Sequence, residues 1–278
     1  MSQPSLSRLP RVIQNARQLI HAKIMAFDRL KFWLDDPEPH LPAELMKRRV
    51  DPRKLRNDKT KYQPKWQSKF DLFQPDADEL QAFEEAIGAR YSVKLCEAEL
   101  NMDWITQTAE DAMELRDFAL THMLVPYVKQ PVNIYEQTAY FQPRYDSNGN
   151  KQSRNLVIYA DSPDKRTGRP CCHIEWRFCS PAALGNIGLF TLDDCVTFDH
   201  RDFWAENLRL LALPSKTAIS RWLDGDSVIS GTAHRNHADK FLDQYRQDGA
   251  FVLQNCRLKN PTISTILKPI DNALFLPE

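Results

Sequence analysis

Two periods of apolar residues run along this chain, and the switches between them predict its elements. Leu9, Val12, Ile13, Ala16 and Ile20 follow near-helical spacing and predict a helical arm over residues 1–20. Alternation then predicts strands near 24–34 and 66–74. Asp76 as cap and Gly88 as stop predict a helix over 76–88, followed by a strand over 93–104. Thr108, with Asp111 three residues on, opens a further helix that Pro126 closes. Strands are expected over 134–144, 154–160 and 171–178, the first two joined by a turn containing Asn148-Gly149, a strong hairpin signal. From about residue 181 the chain reads mainly as helix, including "DFWAENLRLLAL" and "AHRNHADKFLDQYRQDG". The class is mixed α and β.

At 278 residues the chain is long enough for one large domain, or for one domain with an appendage. Its hydrophobic share of 42%, its charged share of 27% and its 8 glycines fit a self-folding protein rather than a glycine-rich β architecture. No run approaches the roughly 18 apolar residues of a membrane span, and the first twenty residues lack the apolar core of a secretory signal. The expectation is a cytoplasmic protein with no membrane association. Cys96, Cys171, Cys172, Cys179, Cys195 and Cys256 lack C-x-x-C spacing and read as reduced packing residues.

Lys+Arg and Asp+Glu both number 37, so total charge attracts no polyanion. The distribution is uneven. Residues 47–69 hold ten basic side chains against Asp51 and Asp58, with Tyr62 and Trp66 interleaved. Residues 71–117 hold thirteen acids against Arg90, Lys94 and Arg116. A basic aromatic segment beside an acidic one suits a protein that holds phosphates with one part and a cation with the other; a solvated loop beside an acidic helix has the same composition.

The acidic part carries the first candidate chemistry. In "LCEAELNMDW", Leu95, Glu97, Glu99, Asn101 and Asp103 take odd positions, while Cys96, Ala98, Leu100, Met102 and Trp104 take even ones. A strand sends alternate side chains to opposite faces, so one face is apolar and the other gathers three carboxylates and an amide. Like charges in a row repel and need a counter-charge, water or a cation. "PCCHIEWRF" repeats the pattern, with Cys172, Ile174, Trp176 and Phe178 on one face and Cys171, His173, Glu175 and Arg177 on the other. If both apolar rows pack on the same helices, Glu99, Asp103, His173 and Glu175 share a side and suit a magnesium or manganese ion. Each strand alone is also compatible with ordinary surface ion pairs.

Between these strands, "RNLVIYADSPDK" places Asn155, Val157 and Tyr159 on one face. A tyrosine at a strand end beside a bound cation can attack a phosphodiester, with Lys165 as a neighbouring positive charge that helps the phenol ionise. Tyr140, on the polar side of "EQTAYFQPR", is the competing nucleophile.

These segments resemble rolling-circle replication initiators of plasmids and filamentous phages, and related conjugative relaxases. "EAELNMDW" resembles their acidic strand, E-hydrophobic-A-x-D followed by an aromatic, with Glu99, Asp103 and Trp104 in register. "TAYFQPRYDSNGNKQSRNLVIYADSPDK" resembles their "T-x-Y-x-G-S-R…R-x-Y-D-K" hairpin, and "CHIEWRF" the strand that follows. The chain departs from that pattern at Gln142-Pro143, at Val157 where arginine is usual, and at Asp161 and Lys165, which are not adjacent. It also has His173 and Glu175 where a His-hydrophobic-His pair is common.

The resemblance implies an α+β fold, a largely antiparallel sheet with helices on one face and the other face open, plus a helical C-terminal region. The expected organisation is an arm over 1–20, a nicking and strand-transfer domain over 21–190, and the helical region over 191–278. It implies a metal-dependent endonuclease and strand transferase in which Tyr159 attacks origin DNA and stays joined to its 5′ phosphate. Glu99, Asp103 and Glu175 would hold Mg2+ or Mn2+, with His173 at comparable spacing. The expected DNA contacts are Lys61, Lys65, Trp66, Arg144, Lys151, Arg154 and Arg177. Single-stranded or melted origin DNA would be the substrate, and the host helicase and polymerase would be partners.

Two other readings use the same chain. A non-catalytic DNA-binding replication or regulatory protein could use the C-terminal helices, including "SKTAISRWLDG", as a helix-turn-helix. A zinc site could use Cys171, Cys172, His173, His234 and His237, although adjacent strand cysteines face opposite ways.

Overall fold

Seven strands, all paired antiparallel, form the centre of this α+β fold in the order β2-β1-β3-β7-β6-β5-β4. They are β1 (Ala22–Leu34), β2 (Ser68–Phe73), β3 (Val93–Ile105), β4 (Asn133–Tyr135), β5 (Thr138–Tyr140), β6 (Arg154–Tyr159) and β7 (Cys171–Phe178). The computed structural model describes residues 11–55, 65–126, 128–142, 152–212, 217, 219, 240, 242–247, 249–259 and 261–277.

The apolar rows decide which way the sheet faces. Ala98, Leu100, Met102 and Trp104 of β3 and Cys172, Ile174, Trp176 and Phe178 of β7 are buried in one core with Phe32, Phe70 and Leu72. Helices cover that face. Ala77–Ile87 starts at Asp76, whose carboxylate accepts from the Glu79 N–H at 2.7 Å, and ends at Gly88 with φ of 39°. It sets Phe83 edge-on against Phe32 and Phe70 at 5.5 and 5.7 Å. Ala109–His122 is capped by Thr108, which accepts from the Asp111 N–H, and brings Phe118 to within 6.5 Å of the Trp104 ring. His200–Asn207 adds Phe203 and Trp204.

Residues near the C-terminus join the same core. Phe275 packs against Trp104 and Phe118 at 5.4 and 5.3 Å, and the Lys23 ammonium donates to the carbonyls of Leu274 and Leu276. A second small cluster, including Tyr245, Phe251, Leu253 and Cys256, builds around the helix Leu253–Lys259. Among the described residues no helix is long and apolar enough to cross a membrane.

Several boundaries differ from the sequence expectation. The strand expected over 134–144 is two strands, β4 and β5, reversed at Glu136-Gln137 with Glu136 at φ of 52°. The buried Arg116 guanidinium donates to the Gln137 carbonyl at 3.0 Å and holds that turn in place. The helix expected through "DFWAENLRLLAL" stops at Asn207, after which Leu211–Ala212 pairs as a short strand with Lys268–Pro269. At the N-terminus, Arg11–Leu19 is helical and buries Ile13 and Ala16, while Val12 stays exposed. The Asn148-Gly149 turn and most of "SKTAISRWLDG" and "AHRNHADKFLDQYRQDG" lie outside the described residues.

Candidate functional site

The polar face of the sheet is assembled by strand register. β3 and β7 pair Glu99 with Arg177, Asn101 with Glu175 and Asp103 with His173. β6 adds Asn155 beside Arg177, Val157 beside Glu175 and Tyr159 beside His173. Paired residues share a face, so Tyr159, His173 and Asp103 form one row, and Val157, Glu175 and Asn101 the next. Tyr140 joins the second row through its pairing with Val157.

Each acid on this face has a basic neighbour. The Lys31 ammonium lies 2.8 Å from Glu97. The Arg177 guanidinium donates to Glu175 and sits 4.0 Å from Glu99. His173 Nδ1 lies 2.8 Å from Asp103 Oδ1, and Asn101 Nδ2 donates to the other Asp103 oxygen. The compensation is incomplete at Glu99, whose pKa is pushed up to about 7 by burial and by the charge of Glu175, against the opposing pull of Arg177. Burial pulls the His173 pKa down, but the hydrogen bond and charge of Asp103 outweigh it, and the net shift is upward.

Tyr159 stacks on the His173 ring at 4.4 Å and points its hydroxyl toward Glu175 Oε2 at 3.5 Å. Burial, then the charges of Glu175, Asp28 and Asp103, raise its pKa far above the ordinary phenol value. Asp28 has no place in the sequence reading. It is the extra residue of a bulge between the pairs Phe27–Leu100 and Arg29–Glu99. Its carboxylate accepts from the Gln74 side chain at 2.9 Å and lies 3.4 Å from the Lys165 ammonium. The signal was present: apolar positions in β1 run odd through Met25 and Phe27, then even through Leu30, Phe32 and Leu34.

A second bulge corrects the reading of β3. Cys96 is the extra residue, so Leu95 pairs with Phe32 in the core instead of joining the carboxylates, and the Cys96 thiol donates to the Lys31 carbonyl.

The four expected metal ligands share one face without converging on one point. Glu99 and Glu175 gather at Arg177, whereas Asp103 and His173 gather with Cys171. Among the described residues, Asp103, Cys171 and His173 are the group of three whose ligand atoms all lie within 4.8 Å of one another, a set able to hold a metal ion. Cys172 points into the core instead. His234 and His237 lie outside the described residues.

The loop between β6 and β7 crosses this end of the face. Its Ser162 carbonyl lies 3.0 Å from His173 Nε2, and its Arg166 guanidinium donates to the Phe27 carbonyl of β1 at 3.0 Å.

The expected DNA contacts are dispersed. Lys61, Arg144 and Lys151 lie outside the described residues. Arg177 is engaged with Glu175. Arg154 pairs with Phe178 and takes the helical side, lining a cavity of about 700 Å³ with Trp176, Asp202 and Glu206. Lys65 and Lys94 flank the Trp66 ring at 5.0 and 5.8 Å. Lys69 lies over Trp33 at 5.3 Å, and both Lys69 and Lys94 pair with Trp33 across the strands. This second aromatic ring escaped the sequence reading because only register joins it to the basic segment.

Fold and site together define an antiparallel-sheet protein with a buried polar centre on the side away from its helices. No family model matches the chain, and no curated protein matches it. Among solved structures, it is similar to one described as a rolling circle replication initiator protein from Geobacillus stearothermophilus, with a TM-score of 0.32 and 10% identity. That similarity covers 76% of this chain and 89% of the other.

Proposed function

We propose that this chain is a metal-dependent, tyrosine-type DNA endonuclease and strand transferase that starts rolling-circle replication of a plasmid or phage. The observation that carries the reading is Tyr159, its hydroxyl 3.5 Å from Glu175 and its ring stacked on His173. The sequence resemblance points to the same tyrosine.

In this mechanism the Tyr159 oxygen attacks the scissile phosphorus and Glu175 accepts the phenolic proton. The bond from phosphorus to the 3′ oxygen breaks as the bond to the Tyr159 oxygen forms; the departing 3′ oxygen takes a proton from water to become a hydroxyl, and the 5′ phosphate stays joined to tyrosine. A phosphodiester is exchanged for a phosphodiester, so the reverse step rejoins the strand. Lys165 offsets Asp28 at 3.4 Å, one of the charges that oppose phenol ionisation.

The donor chemistry fits a hard divalent ion. Glu99 and Glu175 share a single guanidinium, that of Arg177, and Asn101 Oδ1 is buried with no hydrogen-bond partner among the described residues. Glu99, Glu175 and Asn101 would hold Mg2+ or Mn2+, with Asp103 beside them and His173 orienting Asp103. When bound, the ion supplies the charge that polarises the phosphate and favours phenolate.

Single-stranded or melted origin DNA would cross the polar face. Trp33 and Trp66 offer stacking surfaces, and Lys65, Lys69 and Lys94 offer phosphate contacts. Residues 21–190 carry this chemistry in the cytoplasm. The released 3′ hydroxyl serves the host polymerase behind a host helicase, while Ile13 from the expected arm and Phe203, Trp204 and Phe275 from the expected C-terminal region are packed into the core beneath this sheet.

One observation favours a binding-only protein: the resting environment of Tyr159 strongly suppresses its ionisation. The discriminating experiment incubates the chain with Mg2+ or Mn2+ and single-stranded DNA from the flanks of its own gene. The expected result is a covalent adduct on denaturing gels that Tyr159→Phe abolishes. Loss in Tyr140→Phe instead reassigns the nucleophile, and absence of any adduct supports the binding-only reading.

A further inference from the structure

At the end of the polar face beyond the carboxylates lies a centre of different chemistry. Cys171 and Asp103 are almost fully enclosed, at 0% and 1% exposure, and His173 is 6% exposed. Cys171 Sγ sits 2.9 Å from His173 Nε2, and the Ser162 carbonyl approaches the same nitrogen at 3.0 Å. The other ring nitrogen is fixed by Asp103 at 2.8 Å. A carboxylate on one imidazole nitrogen, with sulfur and a carbonyl gathered at the other, is the arrangement in which a histidine binds zinc and its carboxylate orients the ring.

An independent observation points to a missing partner. Asp164 is fully buried, and its Oδ1 has no hydrogen-bond partner among the described residues, although Oδ2 accepts from the Thr167 N–H and hydroxyl at 2.7 Å. Its charge acts on both Cys171 and His173. Leaving a carboxylate oxygen buried and unpaired is unfavourable unless a cation lies nearby.

We propose that Cys171 Sγ, His173 Nε2 and the Ser162 carbonyl form a binding site for a thiophilic divalent ion, zinc by class, with Asp103 as the residue that positions His173. Binding displaces the thiol proton and any proton on Nε2, so the ion replaces the contact between sulfur and nitrogen. Tetrahedral bonds of about 2.3 Å to sulfur and 2.0 Å to nitrogen hold those two atoms about 3.5 Å apart, so Cys171 withdraws by roughly half an ångström. Sulfur excludes magnesium as the preferred occupant, because hard ions take oxygen ligands. This ion is separate from the one at Glu99 and Glu175.

The site ties the loop between β6 and β7 to the floor of the sheet. That loop carries Lys165 to Asp28 and Arg166 to the Phe27 carbonyl. The metal therefore fixes the segment that crosses beside Tyr159.

The experiment uses the full chain expressed with zinc in the medium and purified without chelator, with no DNA present. The expected result is about one zinc per chain by elemental analysis. After cobalt(II) exchange, a near-ultraviolet sulfur-to-cobalt charge-transfer band should appear. Cys171→Ser, a near-isosteric change, should remove the band and lower zinc content at least tenfold, while Cys172→Ser and Glu99→Gln keep both. Circular dichroism establishes that each variant is folded, and His173→Gln serves if Cys171→Ser is not. Absence of stoichiometric zinc and of the band in the wild-type chain overturns the proposal, as does a band that survives in Cys171→Ser. Neither result depends on the DNA adduct, so the nicking reading stands or falls separately.

Discussion

On one side of β3, Ala98, Leu100, Met102 and Trp104 meet helices; on the other, Glu97, Asn101 and Asp103 meet charges. Both rows are nearly inaccessible: Asp103 and Asn101, at 1% and 3%, are almost as enclosed as Trp104 at 0%. Exposure therefore does not separate core from candidate site in this sheet. The kind of interaction does. The apolar row gains from contacts that are individually small and non-directional. In the polar row the charged groups lean on specific partners, and removing one leaves another charge buried without compensation.

The largest expected effect breaks the polar row at its hub. Arg177→Met strands Glu175 and Glu99 and should cost about 3–5 kcal/mol at neutral pH, measured by urea denaturation. The loss should shrink on acidification as the carboxylates protonate. A loss that is independent of pH would mean that packing of the arginine stem, rather than its charge, is what matters.

Trp104→Ala tests the other row. It removes a fully buried ring that contacts Phe118 and Phe275 and should cost about 3–5 kcal/mol. Here the loss should barely change with pH, because no titrating partner is uncovered. Parallel curves for the two variants would dissolve the distinction between the faces.

The smallest effect sharpens the comparison, because it should stabilise. In metal-free protein Glu99 titrates at about 7, above its unfolded value of 4.5, so its contribution is complete below the lower figure and is lost as pH rises through the higher one. Glu99→Gln should therefore raise stability by about 3 kcal/mol near pH 8 and by almost nothing near pH 4. Added Mg2+ or Mn2+ should reverse that gain if Glu99 holds the ion. Thermal melts at both pH values, with and without metal, give the answer.

Much of this was legible in the residues. Strict alternation in "EAELNMDW" and "CHIEWRF" sorted every side chain from Glu97 to Trp104 and from Cys172 to Phe178 onto its observed face. Arg154 was open to the same logic, since it shares the parity of Leu156 and Ile158, and that parity places it with the helices. Asp28 and Leu95 were harder. Each depends on a bulge, which shows in sequence only as an apolar row that changes parity.

Within each unbulged run, periodicity alone determined which face a residue takes, because the pleat sends neighbours to opposite sides whatever the strand pairs with. It also determined the helix starts at Asp76 and Thr108, where a side chain satisfies a backbone donor within three residues. Only the tertiary structure decided that Arg177 serves Glu175 and approaches Glu99, that Asp103 and His173 gather at Cys171, and that Asp28 faces Lys165. Those partners come from different strands and loops, and what brings them together is strand order and register. A one-residue slip in either would give every charge a different neighbour.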